Sequence, residues 1–153
     1  MSVRILRRKR ISDVGFRVSL RRLRTVEVYW SCLAGRGFRD LRVWKDGMDL
    51  AEQIYRLTRD FPKQELYGLT NQLRPAAVSV PSNIAEGQAR THVKEYLHFL
   101  STAKGSLAEV QTQLEIAARL DYLTPKQLEQ VLQQADAVSK QLYALRNALV
   151  ERG

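Results

Sequence analysis

Beyond residue 37, apolar side chains recur at steps of three and four in four separate stretches, the spacing of a helical face. In the first, Leu41, Trp44, Met48, Ala51 and Tyr55 make the stripe, and Leu50, Ile54 and Leu57 widen it. Asp40 stands ahead as the expected N-cap. Phe61-Pro62 closes the stretch, because a residue before proline avoids the helical region. The second stripe, Leu66, Leu69, Leu73, Ala76, Val80 and Ile84, predicts a helix from near Glu65 to Gly87, with the glycine as C′ residue. Val93, Tyr96, Leu97, Leu100, Ala103, Leu107, Val110, Leu114 and Ala117 predict a third, from Thr91 or later to about Leu120. The fourth opens on Thr124-Pro-Lys-Gln127, a capping box with proline at N1. Leu128, Val131, Ala135, Val138, Leu142, Leu145 and Leu149 follow as an unbroken seam.

No stretch between these helices reads as a strand, and the connections are a few residues long. Short loops make neighbouring helices antiparallel. The pattern predicts an all-α chain: an up-down-up-down four-helix bundle over residues 38–153.

The second helix breaks a rule. Pro75 and Pro81 lie inside its apolar pattern, and each removes an N–H and crowds the carbonyl four residues earlier, at Asn71 and Ala77. In an ordinary helix interior that costs about 3 kcal/mol or more. Ser79, Ser82 and Asn83 are the local side chains able to bond the backbone there. Asn83 falls on the extension of the apolar seam, with the carbonyl freed by Pro81 as an available acceptor. Ser79, Asn83, Glu86 and Arg90 form a polar stripe beside the seam. It reads either as a solvated face, with Glu86 and Arg90 pairing locally, or as hydrogen bonds across a helix or subunit contact. With Pro81, Ser82 and Gly87 these are candidate contact residues. On the third helix Ser101, Gly105, Ala108 and Thr112 make a small-residue stripe. Gly105 suggests close helix approach, and Glu109 is placed to face Arg74 or Arg90.

Charge changes the picture once its distribution is considered. The 153 residues carry a net charge of +9. Residues 1–37 hold ten Arg and Lys against two acids, a balance of +8, so the bundle region is nearly neutral. Three readings of this extension stand open: a disordered tail or a start assigned too far upstream, a nucleic-acid arm, or an Arg-rich transit peptide. In the bundle, Arg39, Arg42 and Lys45 cluster at the start of the first helix, where cations oppose the helix dipole. That makes them the leading candidates for phosphate contact, with Arg74, Arg90 and Lys94 behind them. Arg56, Arg59 and Lys63 gather at that helix's end, where the dipole accounts for them. Trp44, Tyr55, Tyr67 and Tyr96 lie on apolar stripes and read as core.

No apolar run approaches a membrane span. Cys32 is alone, which gives no disulfide framework and fits a reducing cytoplasm. His92 and His98 are six apart and share no metal-binding face. No carboxylate pair, catalytic Ser/His/Asp order or phosphate loop stands out, so no enzyme, metal or cofactor is expected.

Val80-Pro-Ser-Asn-Ile-Ala-Glu-Gly87, with Phe38-Arg-Asp-Leu-Arg-Val-Trp44, Phe61-Pro62, Tyr67-Gly-Leu69 and Gly105-Ser-Leu107 with Glu109, closely resembles a bacterial family. These are the small four-helix-bundle proteins encoded in 23S rRNA intervening sequences and elsewhere in bacterial genomes. The resemblance covers 38–153 in matching order and leaves 1–37 outside. It implies a homo-oligomer, with a five-fold ring known among relatives, and no known enzymatic activity. A fold relative is the accessory variability protein of diversity-generating retroelements, which binds nucleic acid and a reverse transcriptase. Pro75 is a departure, standing where members often carry a second basic residue after Arg74. The expected function is a non-enzymatic, cytoplasmic homo-oligomer, a pentamer on the relatives' example, that binds RNA or DNA through backbone electrostatics, as adaptor for another protein. The alternative is a protein-interaction or assembly module without nucleic acid.

Overall fold

The computed structural model describes residues 37–151, so the basic segment 1–36 and its three readings lie outside the described residues. Among the described residues there are four α-helices and no strand: α1 (Arg42–Leu57), α2 (Leu69–Gln88), α3 (Val93–Arg119) and α4 (Pro125–Val150). Short 3₁₀ turns, Phe38–Asp40 and Lys63–Leu66, precede α1 and α2. Leu50 and Ile54 of α1, Leu73, Val80 and Ile84 of α2, Leu107, Val110 and Leu114 of α3, and Val131 and Val138 of α4 are fully buried together.

Each helix packs on the next along the chain, and α4 packs back on α1. Gly47 of α1 lies against Pro81 and Val80 of α2, while Thr58, just beyond α1, bonds Arg74. Gly87 of α2 meets Tyr96 and Phe99 of α3, while Ser79 bonds Ser106 further along. Gln111 of α3 donates to Asp136 of α4, and Gln141 of α4 donates to Asp46 of α1. α2 and α3 form the most extensive pair.

The α3 and α4 seams are buried through the middle of each helix, while Tyr96, Leu97, Leu128 and Leu149 towards the helix ends are half-buried and Val93, at the first turn of α3, is exposed. The first stripe is core only in part, at Leu41 and Ala51 and at Leu50 and Ile54 beside them. Val43, Gly47, Leu50, Ala51 and Ile54 face the core, whereas Met48 and Tyr55 are 45% and 42% exposed. Trp44 is half-buried and packs edge-on against Phe38 at 5.2 Å. Two helical faces one residue apart were both apolar enough to read as the stripe, and Gly47 was invisible as a core position. Asp40 is not the cap of α1: it belongs to the 3₁₀ turn, and Leu41 takes the N-cap place without a side-chain bond. α1 also ends at Leu57, before Phe61, which is buried against Tyr122 with ring centres 5.5 Å apart.

α2 starts at Leu69, four residues later than expected, because Glu65 serves it from outside. One carboxylate oxygen of Glu65 accepts from the Leu69 N–H at 2.8 Å, and the other accepts from the Tyr122 hydroxyl at 3.1 Å. The carboxylate thus meets an orphan donor at the positive end of the helix. Tyr122 arrives there through the end of α3. The N–H of Asp121 bonds the Ala118 carbonyl and that of Tyr122 bonds Ala117, a Schellman pattern with Asp121 left-handed at φ 59°. The Tyr122 pKa is raised above 10.0 by desolvation, then by the hydrogen bond and charge of Glu65.

α2 continues through both prolines. Pro81 is buried and its ring lies 3.7 Å from where a Cβ of Gly47 would stand, whereas Pro75 is exposed. Gly87 is not a C′ residue. It is buried inside α2, which runs to Gln88 with Ala89 as a right-handed cap. Its missing side chain serves packing instead: a Cβ there would lie 2.5 Å from Cδ2 of Tyr96 and 2.9 Å from Cβ of Phe99. α4 begins as its sequence dictates, with the Thr124–Gln127 capping box formed in both directions.

Candidate nucleic-acid interface

Because α1 and α2 run in opposite directions, the start of α1 sits beside the C-terminal end of α2 and the loop into α3. The 3₁₀ turn Phe38–Asp40 packs on α2 there. Arg39, Arg42, Lys45, Arg90 and Lys94 are therefore brought to one end of the bundle, all exposed. Their side chains are held differently. The Arg39 guanidinium lies over the Phe38 ring, 4.7 Å from its centre, and Arg90 lies over Phe99 at 4.8 Å. Arg42 pairs with Asp46 at 3.5 Å.

Arg74 is elsewhere. It sits on the other half of α2, half-buried, with Nε donating to Thr58 Oγ1 at 2.8 Å and its guanidinium 4.8 Å over the Tyr55 ring. Thr58 is buried and donates to the Ile54 carbonyl at 2.8 Å, so the contact ties α2 to the end of α1. Sequence pattern missed Thr58, since a lone threonine after a helix carries no periodic signal.

The polar stripe of α2 also divides. Asn83 Nδ2 donates to the Ser79 carbonyl at 2.8 Å and to Ser79 Oγ at 2.9 Å, not to the Ala77 carbonyl that Pro81 leaves free. Ser106 of α3 bonds Ser79 Oγ at 2.9 Å, so this cluster crosses a helix contact. Ser82 Oγ donates back to the Val78 carbonyl at 2.9 Å. Glu86 and Arg90 do not pair; the Phe99 ring takes the arginine. Glu109 faces neither Arg74 nor Arg90, and accepts instead from Gln113 on its own helix at 3.0 Å. The close approach expected at Gly105 is absent among the described residues: the residue is exposed and a Cβ there would meet none of them within 4 Å.

Two aromatic expectations change as well. Tyr67 is 93% exposed and Leu66 55%, because the 3₁₀ turn before α2 points them away from the core. Tyr55 is 42% exposed and serves as the platform for Arg74. Tyr96 packs against the core as expected. Among the described residues no group of three His, Cys, Asp or Glu could hold a metal, and no helix is long and apolar enough to cross a membrane.

The family pattern now has physical content. Gly68 in Tyr67-Gly-Leu69 leaves room for the Glu65 carboxylate, since a Cβ there would lie 2.5 Å from Oε2. Gly87 ends the Val80–Gly87 string where α3 presses against α2. The model of the 23S rRNA-intervening sequence protein family matches residues 39–144. The chain belongs to that family. No curated protein matches it. The family match covers nearly all of the bundle, from the 3₁₀ turn before α1 into the last third of α4, and leaves the basic extension outside. As a 23S rRNA-intervening sequence protein, the chain carries its exposed Arg39, Arg42 and Lys45 at the very start of the matched region.

Proposed function

We propose that this protein is a non-enzymatic, homo-oligomeric bundle that binds RNA or DNA through the phosphate backbone and acts as adaptor for another protein. The observation that carries the reading is the set of exposed cations at one end of a nearly neutral bundle, where α1 starts and α2 turns into α3. Cations at the start of α1 oppose its dipole, and only Arg42 among them is in an ion pair, with Asp46. Self-association would repeat the modest cluster around an assembly; the five-fold ring of relatives is the arrangement we favour. The adaptor role is suggested by the resemblance to the retroelement accessory protein, and we place the protein in the cytoplasm, without a cofactor, as part of the same proposal.

A second reading has its own observation. Met48 and Tyr55 of α1, Leu66 and Tyr67 of the turn before α2, and Val78 of α2 are between 42% and 93% exposed, an apolar surface open to a partner. That surface supports a protein-interaction or assembly module. Purification at low salt with and without nuclease separates the readings: nucleic acid that co-purifies and is lost to nuclease supports the first, and protein partners that survive nuclease support the second. Light scattering should show an oligomer, and a monomer would contradict self-association.

A further inference from the structure

Cations and aromatic rings are interleaved at the end of the bundle where α1 starts and α2 turns into α3. The Arg39 guanidinium lies over the Phe38 ring, and Phe38 meets Trp44 edge-on at 5.2 Å. Arg90 lies over Phe99, whose ring is 6.0 Å from that of His98, again edge-on. Phe38, Trp44 and Phe99 are half-buried, whereas Arg39, Arg90 and His98 are exposed. Among the described residues neither guanidinium has a hydrogen-bond or ion-pair partner. Arg42 is in an ion pair with Asp46, and Arg74 donates to Thr58 in the other half of α2.

A ring beneath a guanidinium holds the side chain in place in advance, so less rotamer entropy is lost when a ligand arrives. The edge N–H donors stay open, in the planar fork that matches a phosphate. The outer face of the plane is also available, and guanidinium planes take unstacked bases as aromatic rings do. Only a single strand offers such a base, because a duplex keeps its base faces inside the stack. Asp40, Glu86 and Glu95 are exposed at the same end and offset part of the cationic charge. Stacking on the two planes adds an attraction that those carboxylates do not cancel.

We infer that Arg39 and Arg90 are base-stacking platforms as well as phosphate contacts, so that the bundle selects single-stranded nucleic acid over duplex. This rests on the nucleic-acid reading above and adds to it the class of strand and the two residues that choose it. The shared chemistry is an unstacked base on a phosphodiester backbone, from RNA or DNA.

The test uses the full chain and a labelled 20-nucleotide single strand, once as RNA and once as DNA, so that the two sources are separated. A duplex of the same sequence and a DNA strand of the same length with abasic sites throughout complete the set of probes. Affinity is read across a salt series for the parent, R39K/R90K and R39Q/R90Q. R119Q serves as a charge-loss control at the opposite end of α3, and circular dichroism confirms helix content. Lysine keeps the charge and loses the plane. R39K/R90K should therefore bind the single strands about tenfold or more weaker than the parent, at an unchanged slope of log K against log salt. On the abasic strand it should match the parent. The parent should bind single strand more tightly than duplex, and R39K/R90K should lose that preference. R39Q/R90Q should in addition flatten the slope, by about 0.7 for each lost phosphate contact, and R119Q should not. A parent that binds duplex as tightly as single strand, or an R39K/R90K variant that matches it on single strand, overturns the inference and leaves the nucleic-acid reading standing. So does an equal loss by R39K/R90K on intact and abasic strands, which assigns the arginines to phosphate alone. If the unmodified chain binds no strand in a salt-sensitive way, the nucleic-acid reading itself falls, and the inference with it.

Discussion

A Cβ on Gly87 would stand 2.5 Å from Cδ2 of Tyr96, closer than two carbons can approach. The contact lies where α2 turns into α3, and it brings Phe99, the platform of Arg90, against the end of α2. Gly87→Ala should therefore destabilise the fold despite alanine's better helix propensity, by about 1–3 kcal/mol, as overpacked cores do. Gly47 and Gly105 are the contrast. A Cβ at Gly47 would sit at ordinary contact distance from Pro81, and one at Gly105 would touch nothing. Alanine at either should stabilise the monomer by up to about 1 kcal/mol. Urea midpoints of the three variants check the order; a Gly87→Ala midpoint at or above the parent's would contradict it.

The two prolines of α2 should also part company. Pro75 is exposed, so replacing it with alanine restores a backbone bond to Asn71 and removes little packing. We expect Pro75→Ala to raise stability, by as much as about 3 kcal/mol. Pro81 is buried against Gly47, and its replacement by alanine deletes ring atoms from that contact. Pro81→Ala should gain clearly less or lose stability. Thermal denaturation of both variants decides, and equal gains would show that Pro81 contributes no packing.

The link between Glu65 and Tyr122 gives a pH signature. The folded-state pKa of Tyr122 is raised above 10.0, by desolvation first and then by Glu65. Above pH 10 the unfolded chain releases this proton more readily than the folded one, so stability falls as pH rises through that range. Below it, both states hold the proton and the contribution is constant. Tyr122→Phe should remove the extra decline. Denaturant midpoints of parent and variant from pH 8 to 11 should diverge in slope only at the alkaline end; parallel curves would contradict the link.

Arg74 is a strut, although by sequence it stands among the candidate ligand contacts. Arg74→Ala and Thr58→Val should each cost about 1 kcal/mol, the net scale of one hydrogen bond, and the double variant less than their sum. Nucleic-acid affinity should change little in Arg74→Ala. A loss of binding as large as that of R39Q/R90Q, at unchanged stability, would return Arg74 to the interface.

How far the sequence foretold these results depends on the kind of signal. The α3 and α4 seams and the Thr124 capping box are periodic and local, and both were legible. The α1 stripe was drawn too wide: Leu41, Leu50, Ala51 and Ile54 are core, Met48 and Tyr55 are large enough to be mistaken for it, and Gly47 carries no hydrophobic mark. Gly87 packs where a cap was expected, and Gly105 faces open space where packing was expected, because a glycine's use is set by what lies across from it, which spacing along one helix does not contain. Cations could be counted, but the division of Arg39 and Arg90 from Arg42 and Arg74 depends on Phe38, Phe99, Asp46 and Thr58, partners that only the fold brings within reach. Tyr67 shows the opposite limit, since its place on an apolar stripe was overridden by a 3₁₀ turn.

The central claim is that the cationic end holds a nucleic-acid backbone, and the most direct measurement is the affinity of the unmodified chain for a short single strand as salt is raised. We expect log K to fall linearly with log salt, with RNA and DNA of one sequence showing similar slopes, as phosphate neutralisation requires. Affinity that is undetectable at low ionic strength, or detectable but indifferent to salt, would contradict the account.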